Sequence, residues 1–191
     1  MKNLVKMVMM VVLLGVAMAY GESAPKASMF SHMEVVGQFT TVYANAAPGE
    51  CGCFFMYGGS AQVAAVTHNG LAAVFDFGAT HASDINGYGN NLTLTTYMAG
   101  PRYYPIRRKK LSAYGQVLLG AAHTNSNYIL DDGTTRFGTQ IGGGIDYRFS
   151  KRVQWRMGEA NYLLTLIPNA KNEIQNQTRL STGIVFSFGG K

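Results

Sequence analysis

Charge is scarce in this chain. Asp, Glu, Lys and Arg make up 14% of its 191 residues, against ~25% in ordinary soluble domains. Beyond residue 19 no apolar run reaches the ~20 residues that a membrane-crossing helix needs, which excludes a bundle of membrane helices. The sequence holds 2 Cys and 5 Pro. Two cysteines exclude a scaffold stapled by several disulfides. The net charge of +6 is mild, and the basic residues are not interleaved with aromatics along one element. Nucleic acid is therefore not an expected partner. No ligand cluster for a metal and no phosphate-cradling glycine loop in a usable context stands in the sequence, so neither metal nor cofactor is expected.

What the chain does have is glycine (23), tyrosine (11) and phenylalanine (10). It also has a characteristic start. Lys2 and Lys6 precede an uncharged run from Met7 to Ala19, which ends in Ala17-Met18-Ala19. A charged start, an apolar middle too short to span a bilayer and a small-any-small end make a cleaved secretory signal peptide. Residues 1–19 are assigned to it, 20–32 to an N-terminal segment, and 33–191 to one folded domain.

Eight strand-like stretches follow, at 33–44, 56–67, 70–81, 91–104, 111–123, 136–149, 152–166 and 176–188. Each approaches or exceeds the ~9–11 residues of a tilted strand that crosses a bilayer. The connections alternate in length. Thr67-His68-Asn69-Gly70, Ile106 to Lys110 and Ser150-Lys151-Arg152 are short; 44–55, 81–90, 124–135 and 167–175 are longer and rich in Asn, Gly, Asp and Pro. Asn-Gly between apolar runs is a strong hairpin cue. Short turns at one end and long loops at the other fit an up-and-down barrel in a membrane. In lipid every backbone polar group needs a partner, and a closed sheet supplies one.

The strands are two-faced. Leu180, Thr182, Ile184, Phe186 and Phe188 point one way in the last strand, and Arg179, Ser181, Gly183, Val185 and Ser187 the other. The stretches at 33–44, 70–81 and 136–149 alternate likewise. The stretch 152–166 does so with a bulge near Gly158 that switches the phase. Gly58-Gly59 and Gly100-Pro101 interrupt the second and fourth stretches, which receive no facing. The inward sets collect Glu34, Asp76, Asp146 and Glu159 with Arg148, Arg156 and Arg179. The interior of an eight-stranded barrel is just filled by side chains. These charges must pair there, and the expectation is a network that plugs the lumen rather than an open pore.

Cys51 and Cys53 are a candidate disulfide in the first long loop, though Cys-any-Cys closes a small, strained ring. Intramolecular pairing, pairing between chains and free thiols stay open. His81 with Ser83, and His123 with Ser126, place a base near a hydroxyl at the long-loop end. No third orienting group accompanies either pair, so no catalytic residue is assigned and the chain is read as a non-enzyme.

Ser181, Gly183, Phe186 and Phe188 fill the pattern read by the bacterial barrel-assembly machinery, followed by a three-residue tail. With Gly143 to Phe149, its tight turn, and Trp155 to Tyr162, this resembles the OmpA-like small outer-membrane β-barrel family. The resemblance covers nearly all of the chain after the signal peptide, without the peptidoglycan-binding domain of larger members. It implies an all-β, eight-stranded antiparallel barrel in a Gram-negative outer membrane. Outer-membrane lipid and the assembly machinery are its implied partners, catalysis is usually absent, and any external ligand is unknown. The expected function is a membrane scaffold whose four long loops serve surface binding, adhesion or envelope integrity, and the alternatives are a lipid-modifying outer-membrane enzyme and a small-solute channel.

Overall fold

The computed structural model describes residues 29–44, 53–85, 89–126, 133–168 and 173–189. Residues 1–19, and Cys51 with its candidate disulfide to Cys53, lie outside the described residues. Eight strands run in chain order: β1 (Phe30–Ala44), β2 (Phe54–Thr67), β3 (Leu71–Ile85), β4 (Asn90–Arg107), β5 (Leu111–Ser126), β6 (Thr135–Arg148), β7 (Val153–Thr165) and β8 (Gln175–Phe188). Every neighbour pairs antiparallel, and β8 pairs back onto β1, so the sheet is a closed up-and-down barrel. All eight expected stretches form strands, and closure leaves no unpaired edge.

The short connections close tightly. Gly70 N–H donates to the Thr67 carbonyl at 3.1 Å, and the β6–β7 turn is held by Phe149 and Ser150 N–H groups on the Val153 carbonyl. In β7 the register slips across Met157 and Gly158, against both β6 and β8. Before the slip Trp155 and Met157 face out; after it Ala160 and Tyr162 do.

The second and fourth strands pass through their glycines without changing phase. In β2, Met56, Ser60, Gln62, Ala64 and Val66 are buried, and in β4, Leu94, Thr96, Met98, Arg102 and Tyr104 are. Both inward sets are the even-numbered residues throughout. The glycines mark close passage of the neighbouring strand, not a break. A Cβ on Gly58 would fall 2.0 Å from the Ala79 carbonyl oxygen, and one on Gly100 would fall 2.2 Å from that of Val117.

The barrel is inverted relative to a soluble domain. Phe39, Phe75, Leu119, Ile141 and Leu180 stand about half exposed on the outer wall, while Gln62, Asp76, Arg102, Arg156 and Thr165 are fully buried. Leaving each large apolar side chain in water would cost ~1.5–3 kcal/mol. Aromatics gather towards the ends of the wall: Tyr43 tilts onto Phe55 with centroids 5.0 Å apart, and Tyr147 meets Phe149 edge-on at 5.4 Å. Phe77 sits near the middle of β3. Apolar side chains run through the lumen between the polar ones, from Val42, Met56, Leu94 and Leu163 towards the long connections to Val66, Ala72 and Val74 near the turns, and Thr80, Thr124, Thr165 and Gln177 are buried at the long-connection end.

The close passages make a size prediction. Gly100→Ala is expected to lower barrel stability by roughly 1–3 kcal/mol through overpacking. At Gly37, which faces outward with nothing within 4 Å of a built Cβ, the same change stays within about 0.5 kcal/mol or stabilises. Urea titration of the two variants folded in lipid vesicles, followed by tryptophan fluorescence, checks the difference.

Candidate functional site: a charged network across the lumen

Gln62 is the hub of the interior. Its carbonyl oxygen accepts from Arg102 Nη2 at 2.5 Å and from Arg156 Nη1 at 2.6 Å. Its amide nitrogen donates to Asp76 Oδ2 at 2.8 Å and to Glu159 Oε1 at 3.1 Å. One neutral side chain on β2 thus contacts residues of β3, β4 and β7. The alternation of β2 aims it inward, and the lumen is narrow enough for it to reach the opposite wall.

Each arginine is engaged in turn. Arg156 grips Asp146 with two hydrogen bonds, at 2.9 and 3.2 Å, and reaches Glu159 at 2.9 Å. Such fork-to-carboxylate bonding suits a guanidinium and fixes its orientation. Arg179 makes the same two-pronged contact with Asp76, at 2.8 and 3.3 Å, and donates to Gln140 at 2.8 Å. Arg102 donates to Gln116 Oε1 at 2.9 and 2.6 Å and to the Tyr104 hydroxyl at 3.3 Å. The Tyr114 ring lies against both remaining cations: Arg102 Cζ stands 4.1 Å from its centroid and Arg156 Cζ 4.7 Å. A desolvated cation gains from an aromatic face in this way.

The carboxylates are equally saturated. Glu159 accepts from Arg156, Gln62, Asn161 and the Tyr114 hydroxyl. Glu34, nearest the turns, accepts from Tyr104 at 2.7 Å and meets His32 Nε2 at 3.1 Å. Ser31 Oγ lies 2.8 Å from His32 Nδ1 and donates to the Val66 carbonyl at 3.0 Å. The site therefore holds a bonded network, in which Arg179 Nε and Gln140 Nε2 alone among its named members are buried without a hydrogen-bond partner. Its chemistry is that of a crosslink, joining facing walls by charge-assisted bonds in a buried interior.

Six of the seven charges expected inside lie in the lumen: Glu34, Asp76, Asp146, Arg156, Glu159 and Arg179. Arg148 does not. It points to the inward side but is the last residue of β6, so its side chain is exposed at the rim beside the turn. Arg102, fully buried, stands as the third interior arginine. Sequence reading misses it, and Gln62, because Gly100-Pro101 and Gly58-Gly59 read as interruptions. Uninterrupted even-residue alternation was the signal that could have found both.

Each of the two histidines meets a threonine of the neighbouring strand. His81 Nδ1 lies 2.9 Å from Thr93 Oγ1, and His123 Nδ1 lies 2.9 Å from Thr135 Oγ1, each a cross-strand contact. Ser126 is buried on the opposite face of β5 from His123, with its hydroxyl donating to the Asn91 carbonyl. In the last strand Ser181 is buried, Phe186 and Phe188 stand on the outer wall, and Gly183 sits opposite Gln38 of β1.

Removing one member of a buried ion pair leaves its partner uncompensated and costs ~3–5 kcal/mol. Arg102→Ala is expected to lose that much stability, whereas Arg148→Ala at the exposed rim stays within ~0.5 kcal/mol. Denaturant midpoints of the two variants in the same vesicles decide whether Arg102 or Arg148 belongs to the network.

No family model and no curated protein sequence matches the chain. Solved structures do. Neisserial surface protein A superposes with a TM-score of 0.63 at 14% identity, over 82% of this chain and 97% of that one. OprG of Pseudomonas aeruginosa gives 0.54 at 12% identity, over 84% and 97%. Ail, the attachment invasion locus protein of Yersinia pestis, gives 0.52 at 14% identity, over 82% and 97%. The shared feature at such identities is architecture. The chain has the fold of the small eight-stranded outer-membrane β-barrels.

Proposed function

We propose that this protein is a non-enzymatic integral barrel of the bacterial outer membrane, exported by its N-terminal signal peptide. Its body is an anchor, and its four long loops form an external surface for binding, adhesion or envelope integrity. The observation that carries this reading is the inversion of the wall: apolar side chains outside, and charges bonded to one another inside. Only a lipid surround makes that distribution favourable. Two structural neighbours are named for a place or role at the cell surface, a surface protein and an attachment protein, which supports assigning the loops that task. The motif of Ser181, Gly183, Phe186 and Phe188 is assigned to recognition by the barrel-assembly machinery.

A solute channel is the weaker reading, because Gln62, Arg102, Arg156, Asp76 and Arg179 bridge facing strands across the lumen. Planar-bilayer recording separates the two. The folded monomer is expected to give no stable, large conductance, and a steady water-filled pore would sink the anchor reading. Orientation is tested with epitope tags in producing cells. A tag between residues 127 and 132 is expected to label on intact cells, and one at 108–110 only after permeabilisation.

A further inference from the structure

The turn end of the barrel is cationic on its exposed surface. Arg107 ends β4, Arg108, Lys109 and Lys110 fill the β4–β5 connection, and Arg148, Lys151 and Arg152 flank the β6–β7 turn; all seven are exposed. Among the described residues this end exposes no acid: Glu34 and Asp146, the nearest, are sealed inside. The long-loop end is mixed, exposing Asp84, Arg136 and Glu173. The two basic connections are also adjacent. Arg148 N–H donates to the Lys110 carbonyl at 2.8 Å, and Ser187 N–H to the Arg152 carbonyl at 2.9 Å, so β5 and β8 hold the basic turns in one crown. Arg107 Nη2 reaches the His68 carbonyl at 2.8 Å and extends the crown towards the β2–β3 turn.

Directly above this crown the wall changes character. Leu111, Tyr147, Phe149 and Trp155 form an outward belt. Above the belt lies an open groove of about 760 Å³, lined by Phe39, Gly143, Ile145, Gly158, Ala160 and Leu180. It owes its depth to the small residues on β6 and to the bulge in β7. Gly144 stands four residues along β6 from Arg148, ~13 Å at ~3.3 Å per strand residue. Cations, an aromatic belt and an apolar groove in that order match a phosphate, a glycerol backbone and an acyl chain.

We infer that this face binds an anionic glycerophospholipid of the leaflet that meets the turns, with its phosphate on Lys110, Arg148, Lys151 and Arg152 and an acyl chain in the groove. The inference rests on the membrane reading above. Charge complementarity selects the headgroup, since each basic residue near an anionic surface strengthens binding several-fold. The groove selects a membrane lipid over a soluble phosphate.

Native mass spectrometry of the full barrel, released from detergent containing equal phosphatidylglycerol and phosphatidylcholine, tests it. Phosphatidylglycerol is expected to be retained with a preference on the order of tenfold. Replacing Arg148, Lys151 and Arg152 together by Gln is expected to bring that preference close to unity, and Arg136→Gln at the other end to leave it unchanged. Ala160→Phe, which fills the groove, is expected to weaken retention of long-chain but not of dihexanoyl phosphatidylglycerol. Equal retention of the two lipids by a heat-modifiable, folded barrel overturns the inference while leaving the membrane reading intact. So does a preference that the triple replacement does not move, or capture of a soluble acidic peptide with no preference between lipids. Failure of the chain to enter vesicles at all overturns both.

Discussion

A charge inside a barrel this narrow has no solvent to turn to. Everything else in the structure follows from how that demand is met. Among the described residues three arginines and four carboxylates share the lumen, and the amide of Gln62 bonds to both signs. Gln62 offers an oxygen to two guanidiniums and a nitrogen to two carboxylates. A charged residue in its place would satisfy one sign and repel the other. Arginine suits the cationic role because its planar fork binds carboxylates in pairs and stacks on Tyr114 while remaining bonded. A cluster of buried apolar side chains completes the filling of the interior. The walls are thereby tied to one another through their contents as well as through their backbone ladders.

With the interior charges bonded to one another, the outer wall is free to be apolar, and its shape becomes informative. The β7 bulge and the small residues of β6 make a depression, and the basic turns lie below it. The same alternation that hides the ionic network therefore builds an apolar, outward-facing relief. The long loops stand at the other end, away from the crown, so the two ends of the molecule are suited to different company.

Much of this was legible from residue order. Strands β1, β3, β6 and β8 announce their faces through strict alternation, and Gly158 announces the phase change in β7. What stayed hidden depended on geometry between strands. Gly58-Gly59 and Gly100-Pro101 read as breaks because glycine and proline usually punctuate; here the glycines admit a neighbouring carbonyl that approaches within about van der Waals radius of where a Cβ would be. Arg102 and Gln62 were lost behind those false breaks. Arg148 was misplaced for a different reason: parity sets the side a residue points to, but only strand length and tilt decide whether it reaches the interior or the rim. The crown was visible as separate basic turns, but their adjacency depends on β5–β6 pairing that no local pattern specifies.

The bonds that bind the interior join residues far apart in the chain: Gln62 and Glu159 are separated by 97 positions, Asp76 and Arg179 by 103. The β1–β8 seam likewise joins the first strand to the last. None of these can form before the late strands are in place, so arginines of the early strands wait for their counterparts. Assembly is thereby made cooperative and late-committing, with topology that favours slow closure, and a chain cut short of its final strand forfeits both its seam and the ionic lock across its middle.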